Sequence, residues 1–184
     1  MSRSAAFALG FLLIATSGFA QLPSGNIFVG YSYLSADLVP GNRANLNGWN
    51  ASVEGKVMPL LGIVADFSGN YGSQNFPQFA ACPGGVLGSC SVHQENFLFG
   101  PRLSISVGKF RPFVHGLIGA SHISEGATGF SNTDNSFADA LGGGIDYHLI
   151  PLISWRVQVD ALQTRFFGAT QENVRFSTGI TFHF

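Results

Sequence analysis

From Asn173 to Phe184 the chain alternates without interruption. Val174, Phe176, Thr178, Ile180, Phe182 and Phe184 fall on one face of an extended strand, and Arg175, Ser177, Gly179, Thr181 and His183 on the other. Aromatic surface on that scale makes a poor edge for a soluble sheet, because an exposed apolar row invites pairing and aggregation. A closed barrel whose outer wall meets hydrocarbon suits it. The pattern therefore favours a fold without free edges, in which one row of side chains faces an apolar solvent.

The first twenty residues are set apart from this pattern. Arg3 supplies a positive n-region, Ala5 to Ala15 a short apolar stretch, and Gly18-Phe19-Ala20 a cleavage site before Gln21, so residues 1–20 are expected to be a secretory signal peptide. The apolar stretch is too short to span a bilayer as a helix. Residues 21–184 are then expected to form one domain with eight basic and ten acidic side chains, a balance that points away from nucleic acid. No later run is long and apolar enough for a spanning helix; hydrophobicity is spread over short alternating segments, as in a membrane barrel.

Eight segments of about ten residues each are predicted as strands: Asn26 to Ala36, Asn47 to Val57, Gly62 to Tyr71, Gln94 to Val107, Arg111 to Ser124, Ser136 to Leu149, Ser154 to Arg165 and Asn173 to Phe184. The connectors at Met58 to Leu61, Gly108 to Phe110 and Ile150 to Ile153 are tight. Those at Asp37 to Leu46, Gly72 to His93, Glu125 to Asn135 and Phe166 to Glu172 are longer and polar. Short turns at one end and long loops at the other predict an all-β, eight-stranded antiparallel up-and-down transmembrane barrel. Its turns and both termini would be periplasmic and its loops extracellular.

Charge is confined to one face of these strands. In the second, Glu54 and Lys56 oppose Trp49, Val53 and Val57; in the seventh, Arg156 and Asp160 oppose Trp155, Val157 and Val159. A soluble lipocalin-like carrier would turn the apolar rows inward, around a ligand. Here the charged face is crowded with small polar residues, which suits a narrow interior. The expected inward set balances Lys56, Arg102, Arg156 and Arg175 against Glu54, Asp66, Asp146 and Asp160, with His115 among them. Such charges are tolerable inside only when paired, so a plugged lumen is predicted. Trp49, Tyr71, Tyr33 and Phe97 are expected at the upper aromatic girdle, and Tyr147, Trp155, Phe182 and Phe184 at the lower. Pro101 lies inside the fourth strand, where either a bulge or a missing ladder bond is implied.

Four stretches carry a family resemblance: Phe99 to Ser104 (FGPRLS), Arg111 to Gly116 (RPFVHG), Phe137 to Tyr147 (FADALGGGIDY) and the closing strand. The chain resembles the eight-stranded outer-membrane barrel family that includes the opacity-type adhesins, OmpX and the membrane domain of OmpA. The resemblance implies an outer-membrane location in a Gram-negative-type envelope and contact with outer-membrane lipid, including lipopolysaccharide. The ending GITFHF, with Gly179, Phe182 and Phe184, is similar to the signal read by the barrel-assembly machinery.

Two further constellations are visible. Cys82 and Cys90 bracket Pro83-Gly84-Gly85 in the longest loop and, in an exported chain, are expected to form a disulfide rather than a metal pair. His122, Ser124 and Asp139 share the outer face by parity and make a Ser/His/acid relay conceivable. His-x-Ser there resembles the outer-membrane lipid A deacylases, although Glu125 stands where that family tends to have Asn. Polar residues at an interfacial strand end are the ordinary explanation. Gly142-Gly143-Gly144 lies within a strand and is expected to make room for a neighbouring side chain rather than cradle a phosphate.

No cofactor or metal site is predicted. The sequence reading is a non-enzymatic barrel acting structurally or through its surface loops, in adhesion or another extracellular contact, with a monomer favoured and the oligomeric state not read from the sequence. A narrow passive pore, a lipid A hydrolase and a soluble periplasmic lipocalin-like carrier are the alternatives.

Overall fold

The computed structural model describes residues 24–39, 42–75, 89–127, 130–166 and 170–184. Eight strands follow one another: β1 (Gly25–Val39), β2 (Asn42–Lys56), β3 (Leu61–Asn75), β4 (Ser89–Ser104), β5 (Phe110–Ala127), β6 (Phe130–Ile150), β7 (Ile153–Thr164) and β8 (Gln171–His183). Each pairs antiparallel with its sequence neighbours, and β8 returns to β1, so the barrel is closed. Its register can be followed from Gly25 through Gly55, Ile63 and Pro101 to the facing Gly116, then Leu141, Ala161 and Val174, ending on Ser35. The path returns to β1 ten residues beyond its start. With eight strands, that stagger sets a tilt of about 40° and an interior just wide enough for side chains.

The lower end carries the start of β1, the C-terminus and three tight turns. Between β4 and β5, Val107 and Phe110 exchange backbone hydrogen bonds of 2.7 and 3.1 Å around Gly108, whose φ of 61° lies in the left-handed region that favours glycine. At the upper end the strands run further than the periodicity predicts. Much of the connectors expected at Asp37 to Leu46, Gly72 to His93 and Glu125 to Asn135 is paired strand instead. Continuing the ladder satisfies the backbone groups there.

Along the lower two thirds of the wall, apolar side chains point out and polar ones point in. Ile27, Val29, Val53, Ile63, Val114 and Val159 are exposed, while Asn26, Ser52, Glu54, Asp66 and Asp160 are buried. Towards the upper end the sense reverses. Leu34, Ala36, Ala44, Leu46, Val92 and Ile123 point inward and are buried, while Arg43, Asn45, His93 and Glu95 face out. A wall that leaves hydrocarbon for water needs this exchange, because its outside must become polar.

Pro101 pairs with Ile63 of β3, and the register against β5 is the same on both sides of it, from Phe99↔Ile118 to Arg102↔His115. The proline therefore leaves a gap in the β4–β5 ladder and makes no bulge.

Candidate functional site

The lumen is filled by one connected polar network. Arg111, beside the β4–β5 turn, and Arg102 each reach Glu54 at 3.2 Å, one on either carboxylate oxygen. Arg102 Nη2 donates to His115 Nδ1 at 3.2 Å, and His115 Nε2 lies 2.7 Å from Asp160 Oδ1. An arginine only donates and a carboxylate accepts, so the ring bridges them with its proton on Nε2. Arg175 then links Asp160 and Asp66, each at 2.7 Å. A side branch runs from Glu54 through Asn26 to Arg156, which grips Asp146 with Nε at 2.6 Å and Nη2 at 2.8 Å.

Every carboxylate in the network meets a guanidinium, and four of each are present: Glu54, Asp66, Asp146 and Asp160 against Arg102, Arg111, Arg156 and Arg175. Lys56, placed in this set by its parity, is half-buried at the lower end of β2 and takes no part in these pairs; Arg111 occupies that role. The difference is one of position. Lys56 is the last residue of its strand, whereas Arg111, two residues below Phe113 on the inward row, folds back over Glu54 and Ser104. Two inward aromatics also escape the sequence reading. Phe113 lies between the Arg102 and Arg156 guanidiniums, 4.3 and 4.8 Å from its ring centre, and Phe28 takes Arg156 at 5.2 Å. Their parity with Asn26 and His115 is the signal that finds them.

Above most of the ions, Leu34, Leu46, Val92, Leu98, Ile123, Leu162 and Phe166 belong to one buried apolar cluster. Buried Gln94, Asn96, Ser121, Thr164 and Asn173 lie among them, so the upper interior is mixed, with Gln94 the partner of Ile123 and Asn173 the partner of Leu162. Gly142 makes room for one of the ions, since a Cβ there would meet Asp160 Oδ1 at 2.0 Å.

On the outer wall, His122 Nδ1 is 2.8 Å from Asn135 Oδ1, its register partner on β6. Asp139 faces Ile118, four residues along the same pairing, about 13 Å away at the strand rise. Ser124 pairs with Thr133. The three residues of the conceivable relay therefore share a face without meeting as a relay.

Trp49, Tyr71 and Phe97 lie on the exposed face towards the upper end, and Trp155, Phe182 and Phe184 towards the lower, where Trp155 Nε1 donates to Thr178 at 2.9 Å. Tyr147 packs against Phe110 at the same rim in a tilted pair, with ring centres 5.2 Å apart. Gly179 sits opposite Gly30 on the β1–β8 seam. Cys82 is outside the described residues, as is the side chain of Cys90, so their expected bridge lies there too.

No family model matches the chain, and no curated protein matches it. Solved structures do. The crystal structure of Ail, the attachment invasion locus protein of Yersinia pestis, in complex with the heparin analogue sucrose octasulfate, superimposes with a TM-score of 0.61 at 16% identity, covering 89% of this chain and 100% of that one. Neisserial surface protein A gives 0.62 at 10% identity, covering 88% and 96%. The N-terminal β-barrel domain of Pseudomonas aeruginosa OprF gives 0.56 at 10%, covering 87% and 99%. At these identities the likeness is one of fold: the chain has the closed eight-stranded architecture of outer-membrane barrels.

Proposed function

We propose that this chain is an outer-membrane barrel that is not an enzyme, with a sealed lumen, acting structurally or through the loops at its upper end. One observation carries the reading: an apolar outer wall encloses a network of paired ions, with buried apolar and polar side chains filling the interior above it. A soluble carrier would reverse these faces around a cavity. With the lumen occupied, contacts with other molecules fall to the outer wall and the loops.

In this reading residues 1–20 direct export and are removed, and the turns and termini lie in the periplasm. Gly179, Phe182 and Phe184 present the terminal strand to the assembly machinery. The upper loops face outward among lipopolysaccharide molecules, on a monomeric barrel. Ail, named for attachment and invasion, lends support to a loop-borne contact role. Its sulfated ligand does not transfer readily. At the upper rim of this chain Arg43 and Arg165 are interspersed with Glu95, Asp139 and Glu172, a poor match for a polyanion.

The test is cell fractionation joined to gel mobility. The folded barrel is expected in the outer membrane and to migrate differently before and after boiling. Recovery as a soluble periplasmic protein would return the carrier reading.

A further inference from the structure

We propose that the upper edge of β6, from Phe137 up to Phe130, is a docking site for an extended polypeptide segment of another protein, which adds to the barrel wall as a further strand. The inference rests on the reading above, which turns this end outward from the cell, and it names the kind of partner that end takes.

The edge exists because the last hairpin is shorter than its neighbour. β6 pairs with β7 only as far up as Ala138↔Thr164, whereas its pairing with β5 continues without a shift to Ala127↔Phe130. Residues 130–137 therefore have a strand on one side and, among the described residues, none on the other, over about 25 Å at the strand rise. The direction of the backbone groups follows from the lower end. His148 N–H donates to Lys109 O at 2.8 Å, so even-numbered residues of β6 bond towards β5 and odd-numbered residues turn N–H and C=O the other way. Below this edge the odd residues meet β7. Along it, Ser131, Thr133, Asn135 and Phe137 present theirs to the open side.

Two side-chain bonds bear this out. Asn135 N–H donates to Asp134 Oδ1 at 2.8 Å, and Ser136 Oγ donates to the Phe137 carbonyl oxygen at 3.3 Å. In each, a neighbouring side chain stands in for the absent strand. The other flank of the short hairpin is closed differently. β1 pairs with β8 up to Ser35↔Val174, and above that Arg43 straps the seam, with Nε on Ser35 Oγ at 3.0 Å and Nη2 on the Glu172 carbonyl oxygen at 3.1 Å. On the β6 side Arg165 reaches only the foot of the edge, its N–H on Ser136 Oγ at 3.2 Å and its guanidinium 5.7 Å from the Phe137 ring centre.

A row of alternating main-chain donors and acceptors recognises another backbone, and the exposed side chains beside it, Thr133 and Asn135, are uncharged. A segment without secondary structure of its own supplies the complementary groups. A second copy fits poorly. Two upright barrels related by a twofold axis along the membrane normal bring this edge to itself in parallel and in register, with N–H facing N–H.

The experiment uses the whole barrel in nanodiscs and random peptides displayed on phage, with selected peptides resynthesised and their binding followed by fluorescence anisotropy. In the unmodified barrel the Thr133 and Asn135 amides are expected to exchange hydrogen faster than those of Asp134 and Ser136, and to become protected when a selected peptide binds. Thr133→Pro removes a donor on the open side and leaves the β5 ladder intact, because an edge position tolerates proline. It is expected to weaken binding about tenfold, the upper worth of one backbone hydrogen bond. Methylating alternate amides of the peptide is expected to do the same in one phase of the alternation and not in the other, which keeps the test decisive on the unmodified barrel if Thr133→Pro does not fold. Equal loss in both phases, unchanged binding to a folded Thr133→Pro barrel, or no peptide that protects these amides overturns the proposal. So does a dimer of barrels that Thr133→Pro dissolves, since the occupant would then be a second copy. A barrel that inserts and shifts on heating yet binds no peptide here loses only this site; one that fails to enter bilayers loses the membrane reading as well.

Discussion

Arg175 and Asp160 face each other across the β7–β8 ladder, and the guanidinium closes on one carboxylate oxygen twice, with Nη2 at 2.7 Å and Nε at 2.9 Å. The remaining Nη1 crosses the lumen to Asp66 at 2.7 Å. Arg175 therefore ties three walls of the barrel together. Replacing it by Met strands two buried carboxylates, and about 3–5 kcal/mol of stability is expected to be lost. Urea unfolding in micelles, followed by tryptophan fluorescence, measures this. The triple replacement Asp66→Asn, Asp160→Asn and Arg175→Met, which removes the charges together, is expected to recover a large part of the loss. A single Arg175→Met variant as stable as the parent would mean that the network contributes nothing.

The seam has a different requirement. Gly30 and Gly179 are partners on β1 and β8, and a Cβ built on Gly179 would lie 2.3 Å from both the Gly30 Cα and the Val29 carbonyl oxygen. Gly179→Val is expected to prevent closure, leaving the protein at its unfolded gel mobility. Gly116→Ala is the control, because nothing lies within 4 Å of the Cβ it introduces, and its effect is expected to stay within about 0.5 kcal/mol.

A lumen packed in this way should not conduct. Single barrels in planar bilayers are expected to give no ohmic steps. If steps appear and change with Arg102→Ala or Asp160→Ala, ions are passing through the network and the pore alternative replaces the sealed one.

The outer-wall residues give a fourth expectation. His122 is engaged by Asn135, and Asp139 lies well along the strand from it. Lipid A from cells making this protein is accordingly expected to show the same mass profile as lipid A from cells without it, and Ser124→Ala should change nothing. A loss of acyl mass that disappears in Ser124→Ala would establish the hydrolase.

Legibility in the sequence followed the uniformity of each residue's surroundings. Trp155, Arg156, Val157 and Asp160 could be assigned to faces because period-two alternation has one outcome once the outside is hydrocarbon. The upper strand ends were harder to read. Ala44 and Leu46 share the parity of Asn50 and Ser52, so apolar residues change faces towards the upper end, and an alternation rule applied from below treats the change as the end of the strand. Arg111 and Lys56 show a second limit. Parity gives the side of the wall, whereas reach towards Glu54 depends on where in its strand each residue stands.

Alternation by itself determined the strand count, the antiparallel order and the sense in which apolar and charged rows face, because each follows from backbone geometry and the nature of the solvent outside. Tertiary structure alone decided the ten-residue stagger, and with it which ions meet. It brings Arg175 to Asp66 and Arg102 to His115 across the lumen, stacks Phe113 between two guanidiniums and sets Asn135 against His122. Those partnerships join residues distant in the chain, and only the closed register fixes the distances between them.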